Sequence, residues 1–168
     1  GVFTPWQDLI TNKYISVTSA GLVLANTTAA NLAGELVIPT TSKALDGTQI
    51  EVKGIGVNGF ASKTLLTKVS LPDSVTSIGA GAFSGCTSLS EINTPENITE
   101  IGSSAFYNTG ILHFEWPSAV TTVTDKVFAG SKLEELTVPE GVIKIGKEAF
   151  SYCDNLKSVS VPKSLYSI

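Results

Sequence analysis

A β-rich solenoid of stacked coils is the fold class that this 168-residue sequence predicts, and two independent rulers predict it. Pro39, Pro72, Pro95, Pro117, Pro139 and Pro162 stand 33, 23, 22, 22 and 23 residues apart. Phe60, Phe83, Phe106, Phe128 and Phe150 follow at 23, 23, 22 and 22. A fixed period of this length marks units that cannot bury an apolar face alone and bury it by stacking on their neighbours. The phrase VSLPDSVTSIGAGAFSGCTSLS at residues 69–90 accordingly returns at 136–157 as LTVPEGVIKIGKEAFSYCDNLK.

In chain order, residues 1–34 form an N-terminal segment and β cap. YISVTSAGLVLANTT reads as two strands around Ala20-Gly21, a hairpin placed to pair with the first coil and cover an open strand edge. Trp6 lies ahead of it and is expected to pack beneath. The solenoid then runs over 35–168 as about five units plus a truncated sixth. Its first unit, ELVIPTTSKALDGTQIEVKGIGVNGFASKTLL, carries ten extra residues between Pro39 and Val52. In a regular unit, Val69-Ser70-Leu71 alternates as a short strand with Val69 and Leu71 inward, and Pro72, lacking an N–H, ends it. Val75 and Ile78 make a second inward segment, with Gly79 allowing the turn after it. Ala82 and Phe83 dock a turn of helix or 3₁₀, and Leu89 starts the next strand. In the fourth unit Thr124 stands where glycine is expected and Val127 replaces alanine, which predicts a distorted turn. Ile168 aligns with Ile78, so the natural chain is expected to continue, and the lack of methionine implies a processed or trimmed start.

The Pro, Ile-Gly and Ala-Phe positions of SLPDSVTSIGAGAF, NTPENITEIGSSAF, EWPSAVTTVTDKVF and TVPEGVIKIGKEAF give the chain its family likeness. From about residue 36 to 168 it resembles the BspA-like, or Treponema-type, leucine-rich repeat of bacterial surface proteins. The resemblance implies a right-handed β/α superhelix of short parallel strands with short helical or 3₁₀ turns. It also implies a non-catalytic cell-surface or secreted protein that binds other proteins, host matrix or bacterial surface proteins among them, and acts in adhesion.

Composition excludes several alternatives. Eleven lysines, no arginine and fifteen carboxylates give a net charge of −4, which argues against nucleic acid, where binding needs clustered cations. The lysines are scattered, so no basic face is offered to a membrane surface. No apolar run reaches membrane-helix length, and the N-terminus lacks a signal-peptide pattern.

Little in the sequence offers chemistry. Cys86 and Cys153 fill the same slot three units apart, so strand spacing puts them about 14 Å from each other, beyond the ~7 Å Cα limit of a disulfide. They are expected to be free, small core residues, without a zinc site. The one histidine, His113, has no nucleophile motif beside it. GIGVNG at 54–59 and GAGAFSG at 79–85 are explained as turns of the repeat. No cofactor or metal is expected, and Asn97 and Asn26 head incidental glycosylation sequons.

The outward residues are more informative. Stacked in register, Glu35, Lys68, Glu91, His113, Glu135 and Ser158 form one column on the concave sheet. Ser70, Asn93, Glu115, Thr137 and Ser160 form a second. Lys68, Glu91, Asn93, His113, Glu115, Glu135 and Thr137 are therefore the candidate partner-binding residues, suited to a basic or polar protein. Glu91, His113 and Glu135 would be near enough to share a cation, against the plainer reading of a solvated charge column. Trp116 replaces Leu71, Thr94, Val138 and Val161 of the other units and is expected in the core. Small outward residues such as Ser70, Ser158 and Ser160 keep open an alternative role as structural spacer or accessory domain of a larger exported, possibly enzymatic, protein.

Overall fold

The computed structural model describes residues 2–3, 15–25, 32–43 and 46–168. Trp6 and Asn26 lie outside these residues. The first strands are β1 (Val2–Phe3), β2 (Ile15–Val17), β3 (Leu22–Ala25), β4 (Ala33–Val37), β5 (Thr41–Lys43), β6 (Gln49–Glu51) and β7 (Gly54–Ile55). They are followed by β8 (Leu65–Ser70), β9 (Ser77–Ile78), β10 (Glu91–Ile92) and β11 (Glu100–Ile101). The last are β12 (Thr122–Val123), β13 (Glu135–Thr137), β14 (Lys144–Ile145) and β15 (Ser158–Ser160).

The coils contribute strands to two sheets, with the isolated bridges His113–Glu135 and Lys144–Ser167 in place of a strand where one is missing. Sheet A has the order β1-β4-β8-β10 and is continued, after a gap, by the pair β13-β15. Sheet B has the order β2-β3-β7-β9-β11 and is continued by β12-β14. Repeat equivalents lie side by side: Leu36, Val69 and Ile92 in one sheet, Ile55, Ile78 and Ile101 in the other. The period-2 alternation thus turns the same apolar position inward in coil after coil, and Leu36, Val69, Ile55 and Ile78 are fully buried. Residues 15–25 form an antiparallel hairpin whose second strand, β3, pairs with β7 in parallel. The ten-residue insertion also has a structure of its own, the antiparallel hairpin β5-β6. The chain between its strands turns at Gly47, with Asp46 Oδ1 accepting the Thr48 N–H at 2.9 Å.

The third side of each coil departs from expectation. Among the described residues there is no helix, and the Ala-Phe segments are successive turns. The reason lies in the backbone. Gly81 and Gly85 have φ of 63° and 76°, and their counterparts Ser104 and Asn108, Lys126 and Gly130, and Glu148 and Tyr152 are left-handed too. Two left-handed residues four apart prevent a right-handed helix from propagating. They turn alternate N–H groups along the solenoid instead. Phe60 N–H donates to Ala82 O, Phe83 to Ala105, Phe106 to Val127 and Phe128 to Ala149, at 2.7–3.0 Å. Flanking bonds run the same way, for example Asn58 to Ala80 and Ser62 to Ser84. Under this ladder the phenylalanines stack face to face, with centroids 5.7 Å apart from Phe60 to Phe128 and 6.2 Å from Phe128 to Phe150.

Glycine in the Ile-Gly position serves close approach rather than an unusual φ. Gly79 and Gly102 are not left-handed. A methyl group on Gly79 would lie 2.7 Å from the Val57 nitrogen, and one on Gly102 would collide with the backbone of Ala80. Thr124 occupies this slot in the fourth unit, and there the strands part: β11 and β12 do not pair. Thr124 Oγ1 instead donates to Gly102 O at 3.2 Å. The distortion that Thr124 and Val127 predict therefore falls on the strands. The turn itself keeps its ladder, and Val127 is fully buried.

Candidate functional site

The outward columns of sheet A exist in two blocks. Glu35, Lys68 and Glu91 are aligned, and so are His113, Glu135 and Ser158, with Thr137 beside Ser160. Between Glu91 and His113 no strand pairing joins the blocks. Lys68 Nζ lies 3.6 Å from Glu91 Oε2, while His113 Nδ1 lies 4.0 Å from Glu135 Oε1. These side chains are 46–69% exposed, so each pair contributes at most tenths of a kcal/mol, roughly, to folding. Glu91 thus faces lysine rather than His113, and among the described residues no three His, Cys, Asp or Glu side chains gather as a metal site.

Asn93 differs from its column mates. Its Oδ1 accepts the Leu71 N–H at 2.6 Å and its Nδ2 donates to Leu71 O at 2.9 Å, so the amide continues the ladder where β10 ends. Next to it, Thr94 Oγ1 donates to Glu115 O at 2.7 Å and ties the two blocks by a side chain.

The gap follows from volume. Phe114 stands where Val69, Ile92 and Leu136 stand in other coils, and Trp116 where Leu71 and Thr94 stand. Both are buried, at 7% and 3% exposure, as the oversize core reading of Trp116 expects. Phe114 packs 4.9 Å from Phe106 and 5.0 Å from Phe128, and Trp116 packs 6.1 Å from Phe128. The Trp116 indole N–H donates to Val120 O at 3.0 Å. Two large rings in one coil push its strand out of the line its neighbours keep. After the single bridge of His113 to Glu135 the strands diverge, and Glu115 is not paired with Thr137.

Two hollows open on sheet A as a result. One, of about 540 Å³, is floored by Phe114, Trp116 and Pro139, with His113, Glu115, Glu135 and Thr137 around it. The other, of about 460 Å³, lies between Lys68, Glu91 and Asn93 on one side and Leu112 and His113 on the other. All seven candidate residues line one hollow or the other, though the amide of Asn93 is engaged by the Leu71 backbone. Phe114, Leu112 and Pro139 are contributors that column reasoning passes over, because it follows only outward positions. An aromatic ring in an aliphatic slot is the signal for Phe114.

The cysteines are free and buried. Each thiol donates to the phenylalanine carbonyl of the preceding coil, Cys86 to Phe60 and Cys153 to Phe128, both at 3.0 Å. Burial pushes the Cys86 thiol up to about 11, despite the opposing effects of Lys63. Thr109 and Ser131 fill the same slot in the coils between, also buried, so the slot selects a small side chain that can hydrogen-bond.

Stacked coils with parallel strands, an inward aliphatic ladder and a phenylalanine column define a leucine-rich repeat solenoid. The BspA type Leucine rich repeat region matches residues 53–168 in six copies, and the chain belongs to that family. Solved structures agree. A leucine-rich repeat protein from Bacteroides ovatus superposes with a TM-score of 0.73 at 26% identity over 90% of this chain and 41% of its own. The T. pallidum Leucine Rich Repeat protein gives 0.71 at 28% identity, covering 90% of this chain and 70% of its own. A leucine rich cell surface protein from Faecalibacterium prausnitzii gives 0.72 at 28% identity, covering 91% and 42%. This chain therefore spans about four-tenths of the length of two of these proteins. Among curated proteins none matches. Repeats of this kind are in general non-catalytic scaffolds for protein–protein interaction. Among the described residues, no helix is long and apolar enough to cross a membrane.

Proposed function

We propose that this chain is a cell-surface or secreted binding module that holds a protein partner against the concave face of sheet A. The observation that carries this reading is the exposed polar surface formed by Lys68, Glu91, His113, Glu115, Glu135 and Thr137, set around two hollows. Their pairs contribute little to folding, so they are available to a partner. Asn93 supports the surface by positioning rather than by contact. The likeness to the Faecalibacterium neighbour, a leucine rich cell surface protein, supports the location. Adhesion to host matrix or to other bacteria is the corresponding biological role. The domain division at residues 34/35, with the hairpin as a cap, belongs to the same reading.

The test is binding of the chain to a panel of extracellular matrix and bacterial surface proteins, beside a variant with Glu91, His113, Glu115 and Glu135 changed to Ala. Saturable binding by the parent that the variant loses is expected. Binding that both retain would remove sheet A from the reading. Binding by neither would favour the spacer or accessory role, which the uninterrupted turn ladder also suits.

A further inference from the structure

We infer that the hollow floored by Phe114, Trp116 and Pro139 receives a single lysine or arginine side chain from the protein partner, an inference that rests on the sheet A reading above. The argument is one of shape and charge. Where the strands of His113 and Glu135 diverge, half-buried Pro139 and the narrow exposed edges of Phe114 and Trp116 lie beneath a rim of two carboxylates. A basic side chain has the matching form, with methylenes that lie on apolar surface and a charged head that stays at the rim. Neither carboxylate has a lysine partner among the described residues. By contrast Glu91 of sheet A faces Lys68 at 3.6 Å, and Glu134, just before β13, faces Lys157 at 3.7 Å. Glu135 faces only His113, at 4.0 Å, and Glu115 has no ion pair among the described residues. The chain has no arginine. The neighbouring hollow lacks this character, because its lysine and glutamate are already paired. A guanidinium suits the rim best, since it can donate to two carboxylates at once.

The experiment titrates the chain with N-acetyl-arginine amide and with its neutral isostere N-acetyl-citrulline amide, following backbone amide NMR signals of residues 113–116 and 135–138. The arginine probe is expected to shift these signals saturably, with a Kd on the order of 1 mM for a ligand of its size. The citrulline probe is expected to leave them in place. Changing Glu115→Gln together with Glu135→Gln should weaken the arginine probe about tenfold or more while the rest of the spectrum stays unchanged. Equal response to both probes, no saturable response, or full binding by the double variant would each overturn the inference. A panel partner lost by the four-alanine variant but kept by Glu115→Gln/Glu135→Gln would also overturn it, while leaving the broader reading of sheet A standing.

Discussion

Between the coil of Pro95 and the coil of Pro117 both sheets stop, whereas the turn face runs on. β10 and β11 are the last strands of their sheets, and β12 and β13 begin new pairs. Across the same junction Ser104 donates to Asp125, Phe106 to Val127 and Asn108 to Ala129, at 2.8–3.0 Å. The comparison teaches which side holds the coils together. A strand ladder requires neighbours at a fixed, close distance, so one threonine in a glycine slot or two rings in the core can part it. The turn ladder is anchored by a phenylalanine stack that the same changes leave in place. The two hollows of sheet A flank the coil at which its strands part.

Breaking the stack should have the largest effect. Phe106→Ala removes a fully buried ring at the junction that has no strand pairing, and should cost about 3–5 kcal/mol in chemical denaturation. Phe150→Ala, at the half-buried end of the stack, should cost clearly less. Equal losses at the two sites would mean that the junction does not depend on the ring. Gly102→Ala presses a methyl group on the Ala80 backbone and should cost about 1–3 kcal/mol, while opening the β9-β11 pair. The reverse change, Thr124→Gly, should let β12 approach β11. Slower amide hydrogen exchange at residues 121–124 would record it, and unchanged exchange would place the cause in Phe114 and Trp116 alone. Tyr152→Gly and Ser104→Gly relieve left-handed side-chain-bearing residues on the turn face, φ 56° and 57°. Each should stabilise by about 0.5–1 kcal/mol, because glycine adopts this conformation without steric cost. Loss of stability in both would contradict the conformation assigned to the ladder. On sheet A, Lys68→Ala should change stability by no more than about 0.5 kcal/mol. A larger loss would make the charge columns structural and weaken their case as a binding surface.

The period and the inward positions were legible because they are set by residue type alone: proline ends a strand, and Val69, Ile78 and Phe83 must face the core. The outward columns followed from the same register, and Glu35, Lys68 and Glu91 stand as expected. The gap was not legible. It depends on the space between coils, which a linear pattern does not carry, and so the column from Glu91 to His113 reads as continuous in sequence. The left-handed turns were hidden for a similar reason. Gly81 and Gly85 announce them, but Ser104, Lys126 and Glu148 hold the same conformation without the residue that signals it. The role of Asn93 was equally out of reach, since an outward amide and an amide bonded to Leu71 look alike in a sequence.

The turn ladder also has an electrical side. The peptide groups that join Gly59 to Phe60, Ala82 to Phe83, Ala105 to Phe106 and Val127 to Phe128 are linked head to tail, each accepting from the coil before and donating to the coil after, and Ala25 of β3 starts the series by donating to Gly59 O. Peptide dipoles in such a line add, as they do along an α-helix, and each bond polarises the next. Two parallel lines flank the central one, through Asn58 and through Ser62. The solenoid therefore has an axial polarity without a helix. Along each line the carbonyl ends of the peptide groups face β3 and the N–H ends face the later coils, from Gly59 and Phe60 on to Phe128 and Ala149.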